Sequence, residues 1–182
     1  AFVGQDLEAS GYEAAQVLVN KMGEEGKVLI LTLDAAAQWS IDRETGARRG
    51  LEEYSGIEVL ATINTGTEPQ EIYAAFENAM LTYPDVDGIL SLECCSHPPA
   101  GEYLKRNDLA GEVTLVGFDL LPQTLELIQE GVTAATVGQA PERQGYESVQ
   151  LLVDFLNGKT ISSVDTGISV VDADNIDQYI GE

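Results

Sequence analysis

Val113–Asp119 (VTLVGFD) constrains this chain more than any other stretch. It is an unbroken apolar run ending in a carboxylate, followed by a turn over Leu120–Gln123 and a helical pattern from about Thr124. A short run of that kind reads as a strand buried within a parallel sheet. Open α/β sheets bind their ligands outside the carboxyl ends of their strands, so Asp119 stands where a site is expected. The same position also fits a helix N-cap, because Asp commonly precedes a helix there. Position alone leaves both readings open.

The remaining segments fall into an alternation around that strand. Ala1–Gly4 is extended, and Glu8–Met22 is an amphipathic helix with Tyr12, Ala15, Val19 and Met22 on one face and Gly23 as its stop. Val28–Leu33 (VLILTL) is a buried strand ending at Asp34. A loop over Ala35–Ser40, a helix over about Ile41–Tyr54, a strand at Ile57–Ile63 and a helix over Glu68–Thr82 follow. Next come a strand at Asp87–Leu92, an irregular loop Glu93–Pro99 and a short helix Ala100–Arg106. Beyond the VTLVGFD strand lie a helix over Thr124–Glu130, a strand at Ala134–Val137, a helix over Glu142–Asn157 closed by Gly158, and a last strand at Thr166–Val171. Strands alternating with helices at these spacings predict an α/β fold with a doubly wound parallel sheet. A switch in winding gives it the flavodoxin-like order 2-1-3-4-5.

Composition excludes several classes of partner. The 182 residues carry 31 acidic and 9 basic side chains, a net charge of −22. Nucleic acid and anionic lipid demand counter-charge that this chain lacks. The acids are spread over helix faces, which fits a halophilic or a high-solubility surface. A hydrophobic content of 44% is ample for a core, and no apolar run reaches the roughly 18 residues of a membrane span. Ala1–Asp6 has no signal-peptide pattern; the chain opens inside what reads as a strand, as expected of part of a longer parent.

Polar residues recur just past the strand ends. Trp39 and Arg43 follow the first core strand, Glu93-Cys94-Cys95-Ser96-His97 the third, Asp119 the fourth and Gln139 the fifth. Each has a plain structural explanation: Arg43 as a surface partner of Asp42 or Glu44, Gln139 as a turn residue, Trp39 as a buried loop anchor. Gathered at one sheet edge they suit a neutral polar ligand instead. A sugar hydroxyl both donates and accepts; Asp119 offers a fixed acceptor, Arg43 a fixed donor and Gln139 both, and the charged partners strengthen such bonds. Trp39 has the shape to stack on a ring's apolar face.

Catalysis is the weaker expectation. Cys94 or Cys95 with His97 has the residue types of a nucleophile and base, but residues so close in sequence seldom reach that geometry in a loop. No glycine-rich phosphate loop or Walker lysine is present. Neighbouring cysteines reach disulfide geometry only with strain and lack zinc spacing. The cluster Asp172–Asp177 lacks the glycine and distal glutamate of a calcium loop. No catalytic residue, metal or cofactor is expected.

These residues resemble a known family. FVGQD at the start, Arg43-x-x-Gly46 before Ser55-Gly56-Ile57, PDVDGIL, VGFD, IQEG, ATVGQAPERQGY and LNGK are similar to the type I periplasmic sugar-binding proteins, ribose- and galactose-binding. VGFD followed after a strand by Gln139-x-Pro141-x-x-x-Gly145 is the most specific part. The resemblance implies two lobes joined by hinge strands, with a sugar closed between them. It assigns sugar contacts to Arg43, Asp119 and Gln139. It makes residues 1–139 the C-terminal ligand-binding lobe with hinge segments at Phe2–Gln5 and Gln139–Ala140. Residues 140–182 become a return helix and strand that pack on an N-terminal lobe this chain lacks. The implied function is solute capture for an ABC-type importer, outside the cytoplasm and without catalysis; a ligand-sensing regulatory domain is the alternative. The partners implied are a sugar-like ligand, a membrane permease, and the N-terminal lobe or a second copy against helix 142–157. The sequence departs from the pattern where the family usually has an asparagine-aspartate pair and this chain has Glu93-Cys94. Glu93 then either pairs with Arg43 over a neutral sugar or, beside Asp119, favours an aminated ligand.

Overall fold

The structure is a computed structural model that describes residues 1–180; the last two residues of the acidic tail, Gly181 and Glu182, lie outside it. In chain order the elements are β1 (Val3–Gly4), α1 (Leu7–Met22), β2 (Glu25–Thr32), α2 (Gln38–Glu52), β3 (Gly56–Asn64), α3 (Pro69–Thr82) and β4 (Gly88–Ser91). They continue with α4 (His97–Arg106), β5 (Thr114–Phe118), α5 (Pro122–Gln129), β6 (Ala135–Gly138), α6 (Pro141–Leu156), β7 (Val164–Asp165), β8 (Ser169–Asp172) and a 3-10 turn (Ile176–Gln178).

The main sheet runs β3-β2-β4-β5-β6-β8. Its first five strands are parallel and β8 closes the edge antiparallel to β6. Counted from β2, the parallel strands stand in the order 2-1-3-4-5, as the sequence predicts. Alternate side chains supply two cores. Val28, Ile30, Leu90, Val116 and Phe118 face α1 and α2. Leu29, Leu31, Ile89 and Leu115 face α3, α4 and α5. Each such buried aliphatic contributes about 1.5–3 kcal/mol.

Local chemistry moves some boundaries. α4 starts at His97, not Ala100, because Pro98 and Pro99 sit in its first turn, where the N–H groups lost to proline have no helical acceptor anyway. α2 starts at Gln38, so Trp39 lies in its first turn and not in a loop; Ser40 and Ile41 both donate to the Ala37 carbonyl. The last predicted strand, Thr166–Val171, forms only from Ser169, as β8; a turn at Gly167, whose φ is +82°, separates it from β7. Within the segment 140–182, β8 joins this sheet through β6 and Ile176 packs against Ile128 and Val171. α6 is different: none of its residues is buried.

Helices α1 and α2 cross in direct backbone contact. A Cβ on Gly11 would fall 1.9 Å from the Arg43 carbonyl oxygen, and one on Gly46 would fall 1.9 Å from the Glu8 carbonyl oxygen. The crossing therefore sets the height of Arg43 over the sheet. Gly46→Ala is expected to lower unfolding free energy by about 1–3 kcal/mol in chemical denaturation. Gly145→Ala, where an added Cβ meets nothing within 4 Å, is the control, expected to leave stability unchanged or raise it slightly.

Candidate functional site

Three of the residues singled out in the sequence meet in one hydrogen-bonded chain at the carboxyl end of the sheet. Arg43, on the sheet-facing side of α2, is only 4% exposed. Its Nη1 donates to the Leu92 carbonyl at 2.6 Å and its Nη2 to Gln139 Oε1 at 2.9 Å. Gln139 Nε2 in turn donates to Asp119 Oδ1 at 2.7 Å. The guanidinium lies 4.0 Å from the centre of the Phe118 ring, a contact that favours a desolvated cation. Burial pulls Arg43 down to about 10, against the opposing influence of Asp119, Glu93 and Cys94; it remains cationic at neutral pH.

The plain explanations of Arg43 and Asp119 do not hold, while Gln139 does stand in the turn from β6 into α6. Asp42 accepts from Gln38 and Glu44 pairs with Arg48, so Arg43 is no surface partner of either. Leu121 occupies the N-cap of α5, with no side-chain cap, so Asp119 is not a cap. Its φ is +70°, and that of Ala140 is +50°. Non-glycine residues in this region cost of order 1–3 kcal/mol and gather at functional sites. Asp119 is fixed there by its N–H to the Val137 carbonyl and by the Thr136 hydroxyl donating to its carbonyl, both at 2.8 Å. Asp119 and Gln139 open onto a cleft of about 650 Å³ lined also by Leu120, Leu125, Pro141, Ser169 and Tyr179. A cleft of about 670 Å³ at the opposite sheet end, among Lys21, Glu25, Glu58 and Glu112, lies where open sheets do not bind ligands.

Glu93 is placed differently from expectation. It is 5% exposed, and its carboxylate accepts from the Cys95 and Ser96 N–H groups and from the Ser96 hydroxyl. It neither hydrogen-bonds nor ion-pairs with Arg43 among the described residues. The expected Glu93–Arg43 pair is thus corrected: free backbone N–H groups at the start of α4 attract the carboxylate more strongly. Glu93 shapes the β4–α4 turn, and the case for an amine on the ligand loses its second carboxylate. Trp39 is half-buried, one helical turn before Arg43.

His97 is fully buried, its Nε2 3.3 Å from the Thr133 hydroxyl. Desolvation pushes it down to about 4, so the ring is neutral and engaged away from the cysteines. The Cys94 thiol is pushed up to about 12, by burial first and then by Cys95, Asp119 and Glu93. That is the reverse of an activated nucleophile.

The Leu92 carbonyl and the Phe118 ring beneath Arg43 are not legible in the sequence, because an apolar run carries no sign of which ring faces the cation. Gln5 was also missed as an individual residue. Buried at 3%, its Nε2 donates to the Gly138 and Gly167 carbonyls, each at 3.1 Å. It ties the segment after β1 to the end of β6 and to the β7–β8 turn, where β1 also pairs with β7. An amide amid apolar extended residues was the available signal.

A family model described as the periplasmic binding protein domain matches residues 1–160. The chain belongs to that family. It is 26% identical over 187 residues to the xylose/arabinose-binding protein XylF of Sulfolobus acidocaldarius, covering 98% of this chain and 46% of that protein. To the D-allose-binding periplasmic protein of Escherichia coli it is 26% identical over 163 residues, covering 88% and 52%. A crystal structure of a sugar ABC transporter sugar-binding protein from Bacillus halodurans superposes with a TM-score of 0.90 at 28% identity, covering 98% of this chain and 66% of that one. The α/β sheet is therefore a periplasmic-binding-protein type I fold, and these relatives are binding proteins, not enzymes. The chain spans about half the length of the curated relatives it matches. Among the described residues no helix is long and apolar enough to cross a membrane.

Proposed function

We propose that this chain is the sugar-contacting lobe of an extracytoplasmic solute-binding protein serving an ABC-type importer. The observation that carries the reading is the chain of bonds Arg43–Gln139–Asp119 at the carboxyl end of the sheet. It presents a fixed donor, an amide and a fixed acceptor in sequence, which is the pattern a sugar's hydroxyls require. The family membership and the sugar-binding relatives support it. In this reading Trp39 stacks on the sugar ring, while Glu93 acts through the β4–α4 turn. Residues 1–139, completed by β8 at the sheet edge, form the ligand lobe with its hinge segments. Closure around the sugar presents a surface to the membrane permease.

An NMR titration of the 182-residue chain with D-xylose, D-arabinose, D-ribose and D-allose tests the reading. One lobe supplies part of the contacts, so binding is expected in the millimolar range, with saturable shifts of the Gln139 side-chain amide. Asp119→Asn is expected to weaken it about tenfold through loss of a charged acceptor. Absence of saturable shifts at Gln139, or unchanged affinity in Asp119→Asn, overturns the reading.

We also propose that α6 packs on a second lobe or, where none is present, on a second copy of the chain. Tyr146, Val149, Leu152 and Phe155 are 57–69% exposed, a contiguous apolar face that an isolated globular chain rarely leaves uncovered. Light scattering at tens of micromolar should show a dimer, dispersed by Leu152→Glu with Phe155→Glu. A monomer at that concentration contradicts this packing.

A further inference from the structure

Cys94 and Cys95 stand at the carboxyl end of β4, in the turn that leads into α4. Their sulfurs are 3.5 Å apart; Cys94 is half-buried and Cys95 exposed. The turn is held by Glu93, whose carboxylate accepts from the Cys95 N–H, the Ser96 N–H and the Ser96 hydroxyl. A Glu93 oxygen and both sulfurs lie within 4.8 Å of one another. That carboxylate already serves three donors, so the two thiols are the reactive pair. Leu92, just before this turn, gives its carbonyl to Arg43. The thiols thus follow within three residues of the carbonyl that anchors Arg43.

We propose that Cys94 and Cys95 form a reversible dithiol–disulfide couple, and that closing it weakens sugar binding; the second half rests on the sugar reading above. The oxidant is a small-molecule disulfide, RS–SR. Exposed Cys95 loses its proton and its sulfur attacks one RS sulfur, forming a mixed disulfide and expelling RS⁻, which takes up a proton. Cys94 then loses its proton and attacks the Cys95 sulfur, expelling the second RS⁻, which is protonated in turn. Two protein thiols become one disulfide, and RS–SR becomes two RSH. Burial, which pushes the Cys94 thiol up to about 12, makes Cys95 the first attacker. A bridge between adjacent residues is strained, and strained, exposed disulfides are the easily reduced ones. Ring closure twists the 94–95 peptide and pulls the Cys95 N–H from Glu93. The turn that carries the Leu92 carbonyl onto Arg43 then shifts.

The test treats the 182-residue chain with oxidised glutathione and follows intact mass and free thiols. Both thiols should vanish with a mass loss of two hydrogens and no retained glutathione, and dithiothreitol should restore them. Cys94→Ser should instead hold glutathione on Cys95. Retained glutathione beside a free thiol in the unsubstituted chain, or two unreacted thiols, overturns the couple whatever the sugar result. D-allose is then titrated into the reduced and bridged forms, with about tenfold weaker binding expected after bridging. Equal affinity overturns the coupling. No binding to the reduced chain overturns the sugar reading together with the coupling, while the couple itself is decided by mass.

Discussion

A cation held almost out of water, Arg43, is the constraint on which the site depends. A buried charge is tolerated only with partners on most of its surface. Here they come from three strands: the Leu92 carbonyl beyond β4, the Phe118 ring at the end of β5, and Gln139 beyond β6. The guanidinium therefore fastens a helix to three strand ends and orients Gln139, which in turn orients Asp119. A ligand meeting this edge finds its polar groups already in place, which lowers the cost of ordering them on binding.

The depth of Arg43 is decided elsewhere, at the crossing of α1 and α2. Glycine at positions 11 and 46 lets the two backbones touch, and Ala14, Ala15, Ala47 and Leu51 fill the core around that contact. Side-chain volume at either glycine would lift α2, and its arginine, off the sheet. Backbone strain at Asp119 and Ala140 is retained on the same edge. It aims the Asp119 carboxylate at Gln139 and turns the chain sharply into α6.

Much of this was legible in the sequence, for identifiable reasons. Apolar runs such as VLILTL and VTLVGFD have few alternatives to buried parallel strands, so the order of the five parallel strands followed. Arg43, Asp119 and Gln139 were found because polar residues at successive strand ends converge whenever the sheet is parallel. The Glu93–Arg43 pair expected from the sequence does not form, because the Glu93 carboxylate takes backbone N–H groups and the Ser96 hydroxyl at the start of α4. That helix was placed three residues too late, at a pair of prolines that a first turn accepts. Trp39 reads as a loop residue for a similar reason, since nothing in Ala35–Gln38 marks an N-cap. The antiparallel pairing of β8 with β6 is not legible in the sequence, because the turn at Gly167 that reverses the chain sits inside a segment, Thr166–Val171, that reads as continuous strand.

The central claim is that the Arg43–Gln139–Asp119 chain is a sugar-binding edge, and a crystal structure of this chain with D-allose tests it most directly. The account predicts ring hydroxyls at hydrogen-bond distance, about 2.7–3.0 Å, from the Asp119 carboxylate and from the Arg43 or Gln139 nitrogens. Sugar bound only at the amino-terminal end of the sheet, among Lys21, Glu25 and Glu58, would contradict it.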